Sequence, residues 1–245
     1  MPAILKKHFM HSPYNNQKII RTPGVMEKTG IIADSHGHVR ELEKAIAFLK
    51  EQGCLRIYHL GDICDSTTPQ TADACVALMR NNKITAVRGN NDHALSLTGS
   101  GPTENPVSRA AVNYLRNLPL LLRNGTLLFT HSLPFVEKLG LSSMVGQMTP
   151  KNIARFFKDY PAAILFRGHS HSPEIIRPGN HHFSRDPMVP GQKFDLNTAA
   201  PCIFTCGALT DGHCLILEPD YSLACLCFHT VPAGRRHGLT GKTGR

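Results

Sequence analysis

Five short segments constrain this chain more than any other feature. In order they are Asp34-Ser35-His36, Gly61-Asp62-Ile63-Cys64-Asp65, Gly89-Asn90-Asn91-Asp92, Thr130-His131 and Gly168-His169-Ser170-His171. Each sets polar, metal-seeking side chains directly after an apolar run. Open α/β sheets build their sites at the carboxyl ends of strands, so five such loops point to one meeting place. Together they supply seven candidate ligand side chains. Two carboxylates, one amide and four imidazoles suit a pair of divalent ions. Paired ions hydrolyse phosphate esters by clamping the attacking and leaving oxygens.

The pattern between the loops fits that architecture. Ile31 to Ala33 reads as a short buried strand, and Val39 to Gln52 as a helix with Leu42, Ile46 and Leu49 on one face. Gly53 is a good helix stop. Strands follow over Leu55–Leu60, Ile84–Val87, Leu127–Phe129 and Ala162–Phe166, with helices over Thr71–Asn81, Pro106–Leu118 and Lys151–Tyr160. Strands alternating with helices give the α/β class. Three late runs, Cys202–Thr205, Cys214–Leu217 and Ala224–His229, read as antiparallel strands without helices between them. Asp34 and His36 are two residues apart, as are His169 and His171. In extended backbone that spacing points both side chains of a pair the same way. Glycines 61, 89 and 168 allow tight turns around the site.

The distribution of charge argues against a groove dedicated to nucleic acid. Of the net +9, residues 1–28 carry +4 (Lys6, Lys7, Lys18, Arg21 and Lys28 against Glu27) and residues 232–245 another +4 (Arg235, Arg236, Lys242 and Arg245). The body is nearly neutral, whereas such a groove needs basic residues on the folded surface. This argues against nucleic acid as a specific partner. No stretch approaches the roughly 20 apolar residues of a membrane span. Ile4 and Leu5 run straight into Lys6, Lys7 and His8, so the start lacks an apolar signal core, which favours a cytoplasmic protein. Eight cysteines without a paired Cys-x-x-Cys framework read as free buried thiols by default, while Cys225 and Cys227, two apart on a strand, offer a zinc site with Cys206 or Cys214 as the alternative.

The five segments resemble, in order and spacing, the motifs of the calcineurin-like metallophosphoesterases: Asp-x-His, Gly-Asp-x-x-Asp, Gly-Asn-His-Asp/Glu, a lone His, and Gly-His-x-His. The resemblance spans about residues 29 to 230. Within the superfamily it is nearest the small single-domain phosphodiesterases of bacteria and archaea. It implies two facing mixed sheets flanked by helices, a four-layer αββα sandwich. It implies a basic extension over 1–28, a catalytic domain over 29–231 and a basic tail over 232–245. Asp34, His36, Asp62 and His171 would hold one metal. Asp62 would bridge to a second, held also by Asn90, His131 and His169, with a solvent molecule between the ions. By analogy the ions are Mn, with Fe, Zn, Ni or Co as alternatives, and mixed imidazole and carboxylate ligands suit that series. Asp65 would orient a ligand or its loop, and a turn-capping role stands beside that reading.

Two departures bear on activity. Asn91 stands where many members carry His, and it would set the leaving-group preference by withholding an acid. Ser66 stands where protein phosphatases carry Arg. Together they favour a small phosphodiester as substrate. His38 and His93, each two residues past a site residue, are candidates to face it. The segment from Ser132 to Met148 is apolar for a loop and is a candidate cleft wall. The competing reading is a non-catalytic interaction scaffold on the same fold. Retention of all seven ligand positions favours the enzyme.

Overall fold

The computed structural model describes residues 27–97, 107–180 and 182–228. The tail over 232–245, all but the last two residues of the basic extension, and His181, His229 and His237 lie outside them. Two six-stranded sheets face each other. The first has the order β3-β2-β1-β11-β12-β9, formed by Thr85–Ala86, Arg56–His59, Thr29–Ile32, His213–Leu217, Ser222–Cys227 and Lys193–Asp195. The second has the order β4-β5-β6-β10-β7-β8, formed by Leu121–Asn124, Leu127–Thr130, Ile164–Arg167, Cys202–Thr205, Glu174–Pro178 and Phe183–Pro187.

Both sheets are mixed. Strands β1, β2 and β3 run parallel, as do β5, β6 and β10. Their parallel centres carry the site loops, because parallel neighbours end at the same edge. The central strands are apolar on both faces, as sheets covered on both sides require. Ile31 and Ala33 face the space between the sheets, while Ile32 faces the helices. In β6, Ile164 and Phe166 point inward and Leu165 outward. Tyr58 of the first sheet stacks on Phe129 of the second at 4.2 Å between ring centroids. Phe166 and Phe204 continue the stack.

Helices cover the outer faces. α1 (Val39–Glu51) buries Leu42, Ala45, Ile46 and Leu49, an i, i+3, i+4, i+7 stripe. α2 (Ala72–Asn81) and α4 (Arg109–Asn117) add Cys75, Met79, Val112 and Leu115 to the same core. α6 (Pro150–Asp159) sets Ile153 and Phe156 against the second sheet. Three short helices complete the described residues: α3 (Asn90–Leu97), α5 (Leu141–Val145) and α7 (Leu196–Ala199).

Strands β11 and β12 pair antiparallel as expected, and β10 departs from expectation. β10 runs parallel to β6, pairing Cys202 with Ile164, and only its β7 side is antiparallel. A four-residue apolar run carries no direction of its own; the excursion through β7, β8 and β9 sets it. Among the described residues no α-helix lies between the three runs, as expected; a 3₁₀ turn at Leu209–Asp211 separates β10 from β11.

Candidate metal centre

The five loops meet at one edge of the two sheets. Asp34 Oδ1 lies 3.7 Å from His171 Nε2 and 4.0 Å from His36 Nε2. The two imidazoles approach each other to 3.0 Å, Nε2 to Nε2. On the other side, His131 Nε2 lies 3.1 Å from Asn90 Oδ1, 3.2 Å from His169 Nδ1 and 3.6 Å from Asp62 Oδ2. Asp62 Oδ2 also lies 3.9 Å from His36 Nε2, so this carboxylate stands between the two groups. All seven expected ligand side chains are therefore brought together.

The geometry of approach differs from the expectation of extended backbone. Asp34, His36, Asp62, His169 and His171 all adopt positive φ, between 44° and 71°. Left-handed backbone costs a residue with a Cβ roughly 1–2 kcal/mol. Such strain concentrates at functional sites, where the surroundings over-determine the conformation. The loops are tight turns, and close packing holds them. A Cβ at Gly168 would sit 2.7 Å from Asp34 Oδ2, and one at Gly89 would overlap Asp62.

The donor set fits a cation. His131 Nδ1 is 2.8 Å from the carbonyl oxygen of Leu60, which can only accept, so Nδ1 carries the proton. Burial pushes the imidazole down to about 4, so Nε2 presents a lone pair at neutral pH. That lone pair faces the amide oxygen of Asn90, a carboxylate oxygen of Asp62 and Nδ1 of His169, and neither oxygen has a hydrogen to share with it. Asp34 and Asp62 are both buried. Burial, then the charge of Asp62, pushes the Asp34 carboxyl well above its usual range. Burial also lowers His169 and His171. A divalent ion among these groups reverses that penalty by favouring the deprotonated forms.

Other expected residues are placed as follows. Asn91 donates to both oxygens of Asp62, through its backbone N–H to Oδ1 at 2.9 Å and through Nδ2 to Oδ2 at 2.8 Å. Its own Oδ1 accepts from the N–H and hydroxyl of Ser66. The Asp65 carboxylate accepts from the N–H and hydroxyl of Thr67, both at 2.7 Å, and so closes its own turn. His38 is exposed where α1 begins. His93, on α3, has a buried Nδ1 without a hydrogen-bond partner, and burial and Arg88 lower its pKa. The segment after Ser132 is anchored by Ser132 N–H to the Ser143 carbonyl, yet it leaves Val136, Leu139, Leu141 and Val145 exposed. No group of three or more metal-ligating side chains among the described residues includes a cysteine.

Three supporting groups went unread in the sequence. Asp92, fully buried, accepts from the N–H groups of Ile63, Cys64 and Gly89, tying two ligand loops together. Its signal was its place in the Gly89–Asp92 segment. Buried His59 donates from Nε2 to Ser35, whose hydroxyl donates to Ile63. Arg167 lies buried immediately before Gly168; burial lowers its guanidinium to about 10, so it remains charged.

Residues 28–198 match the family model for the calcineurin-like phosphoesterase superfamily domain. The chain belongs to that superfamily. A metallophosphoesterase from Sphaerobacter thermophilus shares its fold at a TM-score of 0.67 and 22% identity, covering 82% of this chain and 87% of the other. A hypothetical protein from Pyrococcus horikoshii OT3 does so at 0.58 and 15%, over 82% and 88%. An uncharacterised protein of Methanocaldococcus jannaschii is 25% identical over 207 residues, 74% of this chain and 83% of its own. This superfamily uses divalent metals, and the described site holds matching candidate ligands. Among the described residues, no helix is long and apolar enough to cross a membrane.

Proposed function

We propose that this protein is a phosphodiesterase using two divalent metal ions. Asp34, His36, Asp62 and His171 hold one ion, and Asp62, Asn90, His131 and His169 hold the other. The observation that carries this reading is the lone pair of His131 Nε2, locked by the Leu60 carbonyl and aimed at acceptor oxygens. When bound, the ions supply Lewis-acid charge to the phosphoryl oxygens and acidify water. The chain supplies position. Asp62 sits within 4 Å of histidines from both sets, and Asn91 fixes both its oxygens. Manganese is the favoured ion by analogy with the family.

The diester preference rests on charge. The five loops contain no Lys or Arg, and Ser66 turns its hydroxyl to Asn91. A dianionic monoester would find no exposed cationic side chain in those loops, whereas a monoanionic diester needs none beyond the ions. Asn91 offers an amide and not an acid, so good leaving groups are favoured. His38, exposed where α1 begins, is a candidate to face the substrate.

The test is hydrolysis of bis(p-nitrophenyl) phosphate against p-nitrophenyl phosphate, with Mn, Zn, Ni or Co added after chelation. Diester turnover that disappears with chelator and in His169→Ala is the expected result. Metal uptake without turnover of either ester would favour a binding scaffold. Faster monoester turnover would overturn the diester preference.

A further inference from the structure

Arg167 ends β6 and is 2% exposed, the largest fully buried side chain among the described residues. Its Nε donates to the carbonyl of Ser132 at 3.0 Å. Its Nη1 donates to Thr205 Oγ1 at 3.0 Å and to Ser170 Oγ at 3.4 Å. All three acceptors are neutral oxygens. An enclosed guanidinium without a paired carboxylate is weak for stability, and an apolar side chain of similar size often serves better. The positions of its partners give it another use. Ser132 follows His131, Ser170 separates His169 from His171, and Thr205 ends the neighbouring strand. The backbone repeats the link, because Gly168 N–H donates to the His131 carbonyl at 3.0 Å.

We propose that Arg167 is a positioning residue whose planar fork holds the His131 loop at a fixed separation from the His169–His171 loop, and thereby sets metal affinity. This rests on the reading that those histidines hold metal. Charge alone acts both ways, since a fixed cation behind the site repels an incoming ion yet favours the ionised Asp34 carboxylate. Arg167→Lys, which keeps the charge, therefore separates geometry from charge. Lys keeps the charge but cannot span three acceptors with a rigid fork. Met keeps length and loses both.

The experiment is calorimetric titration of the chelated full-length protein with Mn²⁺, for the parent, Arg167→Lys, Arg167→Met, Thr205→Val and Ser170→Ala. Thermal unfolding is followed in parallel. Both Arg167 variants should bind Mn²⁺ about 10–100-fold more weakly, with Thr205→Val intermediate and each protein still unfolding cooperatively. Parent-like affinity in Arg167→Lys, or tighter binding in Arg167→Met, overturns the proposal. If the Arg167 variants do not fold, unchanged affinity in both Thr205→Val and Ser170→Ala overturns it equally, and a graded loss supports it. A parent that takes up no Mn²⁺ sinks the metal reading itself. Parent uptake with indifferent variants sinks only the role of Arg167.

Discussion

Asn91 holds both carboxylate oxygens of Asp62, one through its backbone and one through its side chain. Ser66 in turn orients the Asn91 amide by bonding its oxygen at 2.8 and 3.2 Å. Asn91→Ala keeps the backbone donor and removes the side-chain one. Hydrogen bonds to charged groups contribute about 1.5–3 kcal/mol. We expect Mn²⁺ affinity to fall about tenfold or more in Asn91→Ala, and less in Ser66→Ala, as read by calorimetry. Equal affinities in all three proteins would leave the clamp without a role.

Asn91→His exchanges that clamp for an acid. It should gain more on a diester with a poor leaving group than on one with a good one, because general acid catalysis contributes about 10²–10⁴-fold where the leaving oxygen needs a proton. Steady-state kinetics on a matched pair of alkyl and aryl diesters gives the ratio. A ratio unchanged from the parent rules out the leaving-group account of Asn91.

Much of this site was legible because its residues come in compact, ordered loops. The seven ligands and the strand before each loop follow from local pattern. The backbone geometry does not. Ligand side chains two apart suggested extended chain, yet Asp34 and His36 sit at φ 55° and 44°. A left-handed turn leaves no trace in residues that are not Gly or Asn. Strands β8 and β9 were invisible because their residues are mostly exposed and keep no apolar alternation. The direction of β10 was set by an excursion of the chain and not by Cys202–Thr205 itself. Asp92, His59 and Arg167 act by touching loops distant in sequence, which a local pattern cannot report.

Gly168 and Gly53 separate two uses of glycine. At Gly53, φ is +82° and nothing lies near a built Cβ, so Gly53→Ala meets backbone strain alone. Thermal or urea unfolding should show a loss of about 1–2 kcal/mol, with metal affinity unchanged. At Gly168, a Cβ meets Asp34 Oδ2 at 2.7 Å and Ala33 Cβ at 2.9 Å. Gly168→Ala must displace a proposed ligand, so metal affinity should fall while Gly53→Ala retains it. Like affinities in the two variants would show that the Asp34 contact is slack.

His59 should make the metal-free fold acid-sensitive. Its Nε2 donates to Ser35, its Nδ1 is buried without a partner, and burial lowers its pKa from 6.5 to about 3. Between those values the unfolded chain binds a proton that the folded chain refuses. Stability from this group is therefore complete above about pH 6.5 and is lost as pH falls toward 3. One pH unit corresponds to about 1.4 kcal/mol, and since half the unfolded imidazoles are already charged at pH 6.5, about 1.6 kcal/mol disappears between pH 6.5 and 5. His59→Gln can still donate to Ser35 and does not titrate. In chelator, urea unfolding of this variant should show a shallower decline over that range. Parallel curves would mean that His59 protonates in the fold without cost.

Asp62→Asn should divide metal binding from folding. Asp62 Oδ2 stands 3.9 Å from His36 Nε2 and 3.6 Å from His131 Nε2, one histidine from each proposed set. Losing its charge weakens both sets at once. The amide also turns a donor toward a clamp made of two N–H groups from Asn91. Turnover of the aryl diester should fall more than about 100-fold, beyond the usual cost of losing a group that only supports a ligand. The metal-free protein should respond differently. Buried Asp34 carries the repulsion of Asp62, and removing one of two enclosed like charges offsets the lost hydrogen bonds. The thermal midpoint in chelator should therefore stay near that of the parent, while the rise on adding Mn²⁺ disappears. Turnover within a few-fold of the parent would refute the bridging role. A collapse of the metal-free fold would show that Asp62 is needed for the loops themselves.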